Sequence, residues 1–136
     1  TEPLASVPFA ELLEYDRRHF PAPRPEFLKR WIVSPGATAL ACVPGGRLTG
    51  YGVVRPAADG FRIGPLFADD PATADVLYRG LLAAVPDAPV NIDVPDDTAN
   101  PDAGEMMRRY NLSPLFPTAR MYTQDPPAIA MRQVYG

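Results

Sequence analysis

The sequence predicts a mixed α/β fold, an α+β arrangement in which one sheet is antiparallel over most of its width, carries one parallel strand pair and takes helices on both faces. Three observations lead there. Short apolar runs between Pro and Gly turns, at residues 38–43, 47–55 and from Phe61 onward, have the lengths and boundaries of an antiparallel meander. The stretch from Phe61 to Leu82 (FRIGPLFADDPATADVLYRGLL) passes from a β pattern through an acidic turn into an amphipathic helix. Residues 89–94, PVNIDV, then supply a fourth strand, and a strand reached across a helix lies parallel to the one before it.

The elements follow in order. Residues 8–20 predict a first helix with Phe9, Leu12, Leu13 and Phe20 near one face and Glu11, Glu14, Arg17 and Arg18 on the other. Pro21, Pro23 and Pro25 force an extended break. A second, short helix at 26–33 buries Phe27, Leu28 and Trp31, and Ser34-Pro35-Gly36 ends it. In the central stretch Gly64-Pro65 removes a ladder donor, which predicts a bulge or a break in pairing. Asp69-Asp70-Pro71 offers an N-cap and a proline at the first helical position. From there Ala74, Leu77, Tyr78, Leu81 and Val85 recur at helical spacing on one face. Such a strand-to-helix turn presents free N–H groups and the positive end of the helix dipole, a setting suited to an anion. A fourth helix is predicted at 100–110 with Ala103, Met106, Met107 and Tyr110 inward, and Asn111 can take the left-handed C-terminal cap. Residues 112–122 predict one or two closing strands.

At 136 residues the chain is long enough for one domain with a real core. A net charge of −3 does not supply the basic surface that nucleic-acid phosphates need. No apolar run is long enough to span a bilayer, no signal-peptide pattern is present, and the expected compartment is the cytoplasm. The single cysteine, Cys42, precludes a disulfide within the chain, and its apolar flanks place it in a buried strand. The single histidine, His19, has no second histidine with which to share a metal, and it reads first as a surface or internally satisfied residue. The eighteen prolines fall mostly at element boundaries. The first residue is Thr, and residues 126–136 trail off after Pro126-Pro127. The chain therefore reads as a domain at 1–125 followed by a tail that continues or pairs elsewhere in a longer protein.

The order of elements, with a parallel pair between two helices, resembles the GNAT superfamily of acetyl-CoA-dependent N-acetyltransferases lacking its first strand. The local motifs resemble most the GNAT-like C-terminal domain of bacterial two-domain acetyltransferases. They are Asp16, Phe20 and Arg24, then Gly50-Tyr51-Gly52 and Arg55-Pro56, Ile63-Gly64-Pro65-Leu66 with Ala68-Asp69, Asp93-Val94-Pro95, and Arg120-Met121-Tyr122. The resemblance implies an acyl-CoA N-acyltransferase fold and acetyl-CoA as co-substrate. It places the pantetheine arm on the backbone of Leu66, Phe67 and Ala68 and the pyrophosphate on the following turn through Asp69, Ala72, Thr73 and Ala74, with Asn100 opening the next helix. Against the family turn Q/R-x-x-G-x-G/A stand Asp69, Asp70, Pro71, Ala72, Thr73 and Ala74, so only the last small residue agrees. Two carboxylates there repel a pyrophosphate while serving well as helix caps. Where the family carries a tyrosine to protonate the leaving thiolate stands Met107, whose thioether donates nothing.

The candidate catalytic residues are Tyr122 and Asp93. Asp93 lies at the C-terminal end of the fourth strand, where open α/β sheets hold ligands, but a cap or turn role before Pro95 fits equally. Tyr51 and Tyr110 are the other tyrosines that could replace Met107 as proton donor. Asp69 and Asp70 read first as helix caps, Met106 and Met107 as core filling. Arg55 and Arg120 suit salt bridges with Asp93 or Asp16 as well as substrate contacts. Two functions follow. One is an enzyme that moves an acetyl group from acetyl-CoA to a small-molecule or peptide amine. The other is a non-catalytic GNAT-like domain that packs, dimerises or binds the acceptor beside a second GNAT domain or a homodimer partner. Neither reading involves a metal, nucleic acid or membrane.

Overall fold

A computed structural model describes all residues, Thr1–Gly136. The elements are β1 (Glu2–Pro3), α1 (Phe9–Asp16), α2 (Pro25–Trp31), β2 (Thr38–Cys42), β3 (Gly50–Ala57), β4 (Gly60–Ala68), α3 (Pro71–Ala83), β5 (Val90–Ile92) and α4 (Pro101–Arg109), with single 3-10 turns at Leu4–Ser6, Pro44–Gly46 and Met131–Gln133. They form one five-stranded sheet in the order β1-β2-β3-β4-β5. Every pairing is antiparallel except β4 with β5, which runs parallel with Phe61 opposite Val90 and Ile63 opposite Ile92. The meander and the parallel pair thus match the sequence reading. So does the bulge: Leu66 faces Gly52 while Ile63 faces Val54, which puts one extra residue into β4 at Gly64-Pro65.

Alternation along the strands separates two cores. Leu66, Ala68, Val54 and Ile63 face Ala74, Leu77, Tyr78 and Leu81 of α3 and Ala103 and Met106 of α4. Phe67, Tyr51 and Ala41 point to the other face, where Leu4, Val7, Leu12 and Tyr15 cover them. Gly50 and Gly52 let α3 lie close to the sheet: a Cβ on Gly52 would sit 2.8 Å from Leu81 Cδ1, and one on Gly50 2.8 Å from Thr73 Cγ2. Each fully buried Leu on that helix contributes roughly 1.5–3 kcal/mol of burial.

Four expectations change. The first strand is present, as the two residues of β1 against Ala41 and Leu40. Helix α1 stops at Asp16, and a tight turn follows in which His19 N–H and Phe20 N–H both donate to the Asp16 carbonyl. No strand forms within 112–122: Leu112 N–H closes back onto Met107 O at 2.9 Å, Pro114 and Pro117 remove two ladder donors, and no backbone N–H from 113 to 122 meets a backbone partner. Residues 131–136 return to the sheet instead. Val134 bridges Phe67, Tyr135 N–H donates to Leu66 O at 2.8 Å, and Leu66 N–H donates to Gly136 O at 2.7 Å. Val134 and Tyr135 enter opposite cores, as adjacent residues of a strand do. Asn111 takes the left-handed conformation (φ 52°) that closes α4.

Candidate acyltransferase site

The site expected from sequence is the β4 edge at Leu66–Ala68 with the turn into α3. Its outer backbone belongs to the chain itself. Leu66 gives its N–H to Gly136 and takes N–H bonds from Tyr135 and from Gly136 (3.2 Å). Asn100, fully buried, locks this closure: its Oδ1 caps α4 at Asp102 and Ala103, and its Nδ2 donates to Val134 O at 2.8 Å. Leu66, Phe67 and Asn100 therefore do come together, around Val134–Gly136 rather than around an open slot. Ala68 and Ala74 are buried in the core beside α3, and Ala72 is exposed on its first turn.

At the turn the two aspartates divide their work. Asp70 is the N-cap, its carboxylate accepting Thr73 N–H (2.8 Å) and Thr73 Oγ1–H (2.9 Å). These bonds to backbone and hydroxyl hold its carboxyl below the usual carboxylate range. The N–H groups that an anion would need already face a resident carboxylate. Asp69 is no cap. It receives the Tyr15 hydroxyl at 3.0 Å and lies 3.5 Å from Arg18 Nη2 and 3.3 Å from Arg47 Nη2. Burial, with Asp69 beside it, raises the Tyr15 phenol far above its ordinary range.

The proton-donor candidates are committed or remote. Tyr51, wholly buried, donates to Asp16 Oδ1 at 2.5 Å, and burial together with that carboxylate drives its pKa well upward. Tyr110 donates to Asp75 at 2.6 Å, and burial and Asp75 raise it too. Tyr122 is 41% exposed and makes no hydrogen bond in the chain. Asp93 sits in an exposed pair with Arg62 at 3.5 Å. Arg55 stacks on Trp31, and Asp16 takes Arg24 as its partner, so neither Arg55 nor Arg120 forms the expected bridges. Cys42 is half-buried on β2, where burial raises its thiol pKa, and it lines an open cleft of about 350 Å³ with Thr49 and Thr73.

His19 is internally satisfied. It is 2% exposed, with Nδ1 donating to Tyr15 O at 2.9 Å, Nε2 3.0 Å from Gln133 Oε1, and its ring stacked on Phe67 at 4.6 Å. Burial depresses its pKa, against the opposing effect of the Gln133 and Tyr15 bonds. The folded form thus binds the proton more weakly than the unfolded chain does. Stability is complete above the unfolded value of about 6.5 and falls as pH drops below it. Urea midpoints taken from pH 7.5 down to 5 are expected to decline, and His19→Asn to flatten that decline; equal slopes would remove His19 as the cause.

Comparison with known proteins decides the family. Residues 12–136 match the family model described as an acetyltransferase (GNAT) domain. The chain belongs to the GNAT acetyltransferase family. Domains of this family bind acyl-CoA and serve transfer to amine acceptors. The GNAT domain is also 30% identical over 118 residues to the holothin acyltransferase of Pseudoalteromonas sp. (strain SANK 73390), covering 86% of this chain and 40% of that protein. It spans less than half the length of that relative. The residues that fill the β4 edge of this GNAT domain, Val134–Gly136, carry no sequence signal beyond a short apolar pair after a proline-rich run. No helix of the domain is long and apolar enough to cross a membrane.

Proposed function

We propose that this GNAT domain serves an acetyl-CoA-dependent N-acetyltransferase acting on an amine, as the half that packs against and completes the enzyme without itself holding the thioester. One observation carries the reading: the backbone edge of Leu66, where the pantetheine arm would pair, is bonded to Tyr135 and Gly136. Three further features support it. Asp70 caps the helix start at which a pyrophosphate would rest, Met107 stands at the tyrosine position, and the Tyr51 and Tyr110 protons are held by Asp16 and Asp75. An acyl-CoA does not fit these residues as they are placed. Acyl transfer then takes place on another part of the enzyme, in the cytoplasm, and the domain contributes shape and stability to it.

Isothermal titration of the chain with acetyl-CoA tests this. The expected result is no saturable heat at millimolar ligand. Micromolar binding that is lost in Leu66→Pro, which deletes the N–H in question, would overturn the proposal and place the cofactor on β4.

A further inference from the structure

Arg55 and Arg62 stand directly opposite each other on β3 and β4. Their neighbours Val54 and Ile63 enter the core under α3, so both arginines project to the other face of the sheet, where Trp31 of α2 meets Arg55. Like charges directly opposite on one sheet face repel. Their counter-charge is thin. Arg62 meets Asp93 at 3.5 Å, with the two side chains 40% and 70% exposed, a surface pair worth little. Arg55 has no carboxylate at all: its Nη1 donates to the Pro56 carbonyl at 3.1 Å, and its Nε is buried without a partner. A charged donor left unmet inside a protein is costly, and an anion that reaches the guanidinium relieves both the repulsion and the unmet fork.

An aromatic wall stands beside the pair. The Arg55 guanidinium carbon lies 4.6 Å from the centroid of the Trp31 ring, and Phe27 stacks on Trp31 at 4.8 Å. The indole is held in place, because its Nε1–H donates to Gly64 O on β4 at 3.0 Å. Phe27 is 41% exposed, so the wall reaches the surface. Neither the closed edge at Leu66 nor the capped turn at Asp70 uses these side chains.

We propose that Arg55 and Arg62 form a binding site for an organic carboxylate carried on a flat apolar body, with the anion shared by the two guanidiniums and the body lying along Trp31 and Phe27. A guanidinium fork matches a carboxylate with two parallel hydrogen bonds. The ring wall favours an apolar body over a small inorganic anion, which gains nothing from an aromatic surface. Asp93 competes for Arg62 from the rim.

Nuclear magnetic resonance of the full chain titrated with benzoate is the test, because Trp31 is the single tryptophan and its indole N–H gives one isolated signal. Saturable shifts of that signal and of the Arg55 and Arg62 Nε–H signals are expected, with benzamide and inorganic phosphate producing none over the same range. Arg55→Gln and Arg62→Gln are each expected to weaken binding at least about tenfold, as loss of a charge-assisted hydrogen bond does. Arg17→Gln, which removes the same charge from an exposed bridge on α1, is expected to leave binding unchanged. Asp93→Asn is expected to tighten it by freeing Arg62. Far-UV circular dichroism verifies folding, and Arg62, the more loosely held of the two, keeps the test decisive where Arg55→Gln does not fold. A small acid and a peptide end present the same carboxylate, and N-acetylated glycyl-phenylalanine separates them: tighter binding than benzoate assigns a chain end, weaker binding a small acid. Shifts that never saturate, phosphate or benzamide binding as tightly as benzoate, or benzoate binding indifferent to Arg62→Gln would each overturn the proposal. Titration with acetyl-CoA reads the edge at Leu66 instead, so either reading can fail while the other stands.

Discussion

Replacing Arg24 by alanine is expected to lower the unfolding free energy by about 3–5 kcal/mol, the cost of stranding a buried charge. The Asp16 carboxylate has no exposure to solvent. Arg24 forks onto it, Nε to Oδ2 at 2.9 Å and Nη2 to Oδ1 at 2.7 Å, while Tyr51 supplies a third donor. The Arg24 side chain is itself 16% exposed, and its guanidinium lies over the Phe20 ring at 3.9 Å. Solvent therefore screens this pair far less than the outer bridges such as Arg17–Glu14. Alanine leaves the anion with one neutral donor and removes the packing on Phe20. Lysine keeps the charge but not the fork, so Arg24→Lys should retain only part of the stability. Urea unfolding followed by the fluorescence of Trp31, the single tryptophan, measures both. A loss below about 1 kcal/mol in Arg24→Ala would rank the pair with surface bridges and refute the argument.

That network was half legible in the sequence. Asp16, Phe20 and Arg24 stood out as a motif, but nothing in their spacing showed that Tyr51, thirty-five residues on, would meet Asp16. Elements with strong local codes were read well. Proline after Asp70 placed the start of α3, the helical spacing of Ala74, Leu77, Tyr78 and Leu81 gave its buried face, and Asn111 marked the end of α4. The parallel pair followed from the crossing helix, a topological rule rather than a propensity. Residues 112–122 misled because their apolar content suits a strand, while strand formation depends on a partner edge that sequence does not display. The β4 edge was hidden for the same reason: which segment pairs with Leu66 is a long-range matter. Val134-Tyr135 is too short a run to announce itself.

Tyr135→Ala is expected to cost about 3–5 kcal/mol, as large aromatic truncations in cores do. The ring is 1% exposed and shares the core with Leu66, Leu77 and Met106. Its backbone N–H is one of the bonds that close the β4 edge. Tyr135→Phe keeps the ring and should lose far less at neutral pH, which separates packing from the hydroxyl. The hydroxyl has its own signature. Burial, with Asp102 and Asp70 adding to it, pushes the phenol up to about 12. An unfolded tyrosine ionises near 10. The folded state holds the proton more tightly, so the contribution is intact below pH 10 and is lost as pH rises from there towards 12. Urea midpoints at pH 8 and pH 11 should therefore fall further for the parent than for Tyr135→Phe, since Tyr15 and Tyr51 remain in both. Equal falls would mean that the hydroxyl ionises as freely folded as unfolded. An unchanged midpoint in Tyr135→Ala at neutral pH would show that the returning segment is not part of the core, and the β4 edge would then be open to a cofactor.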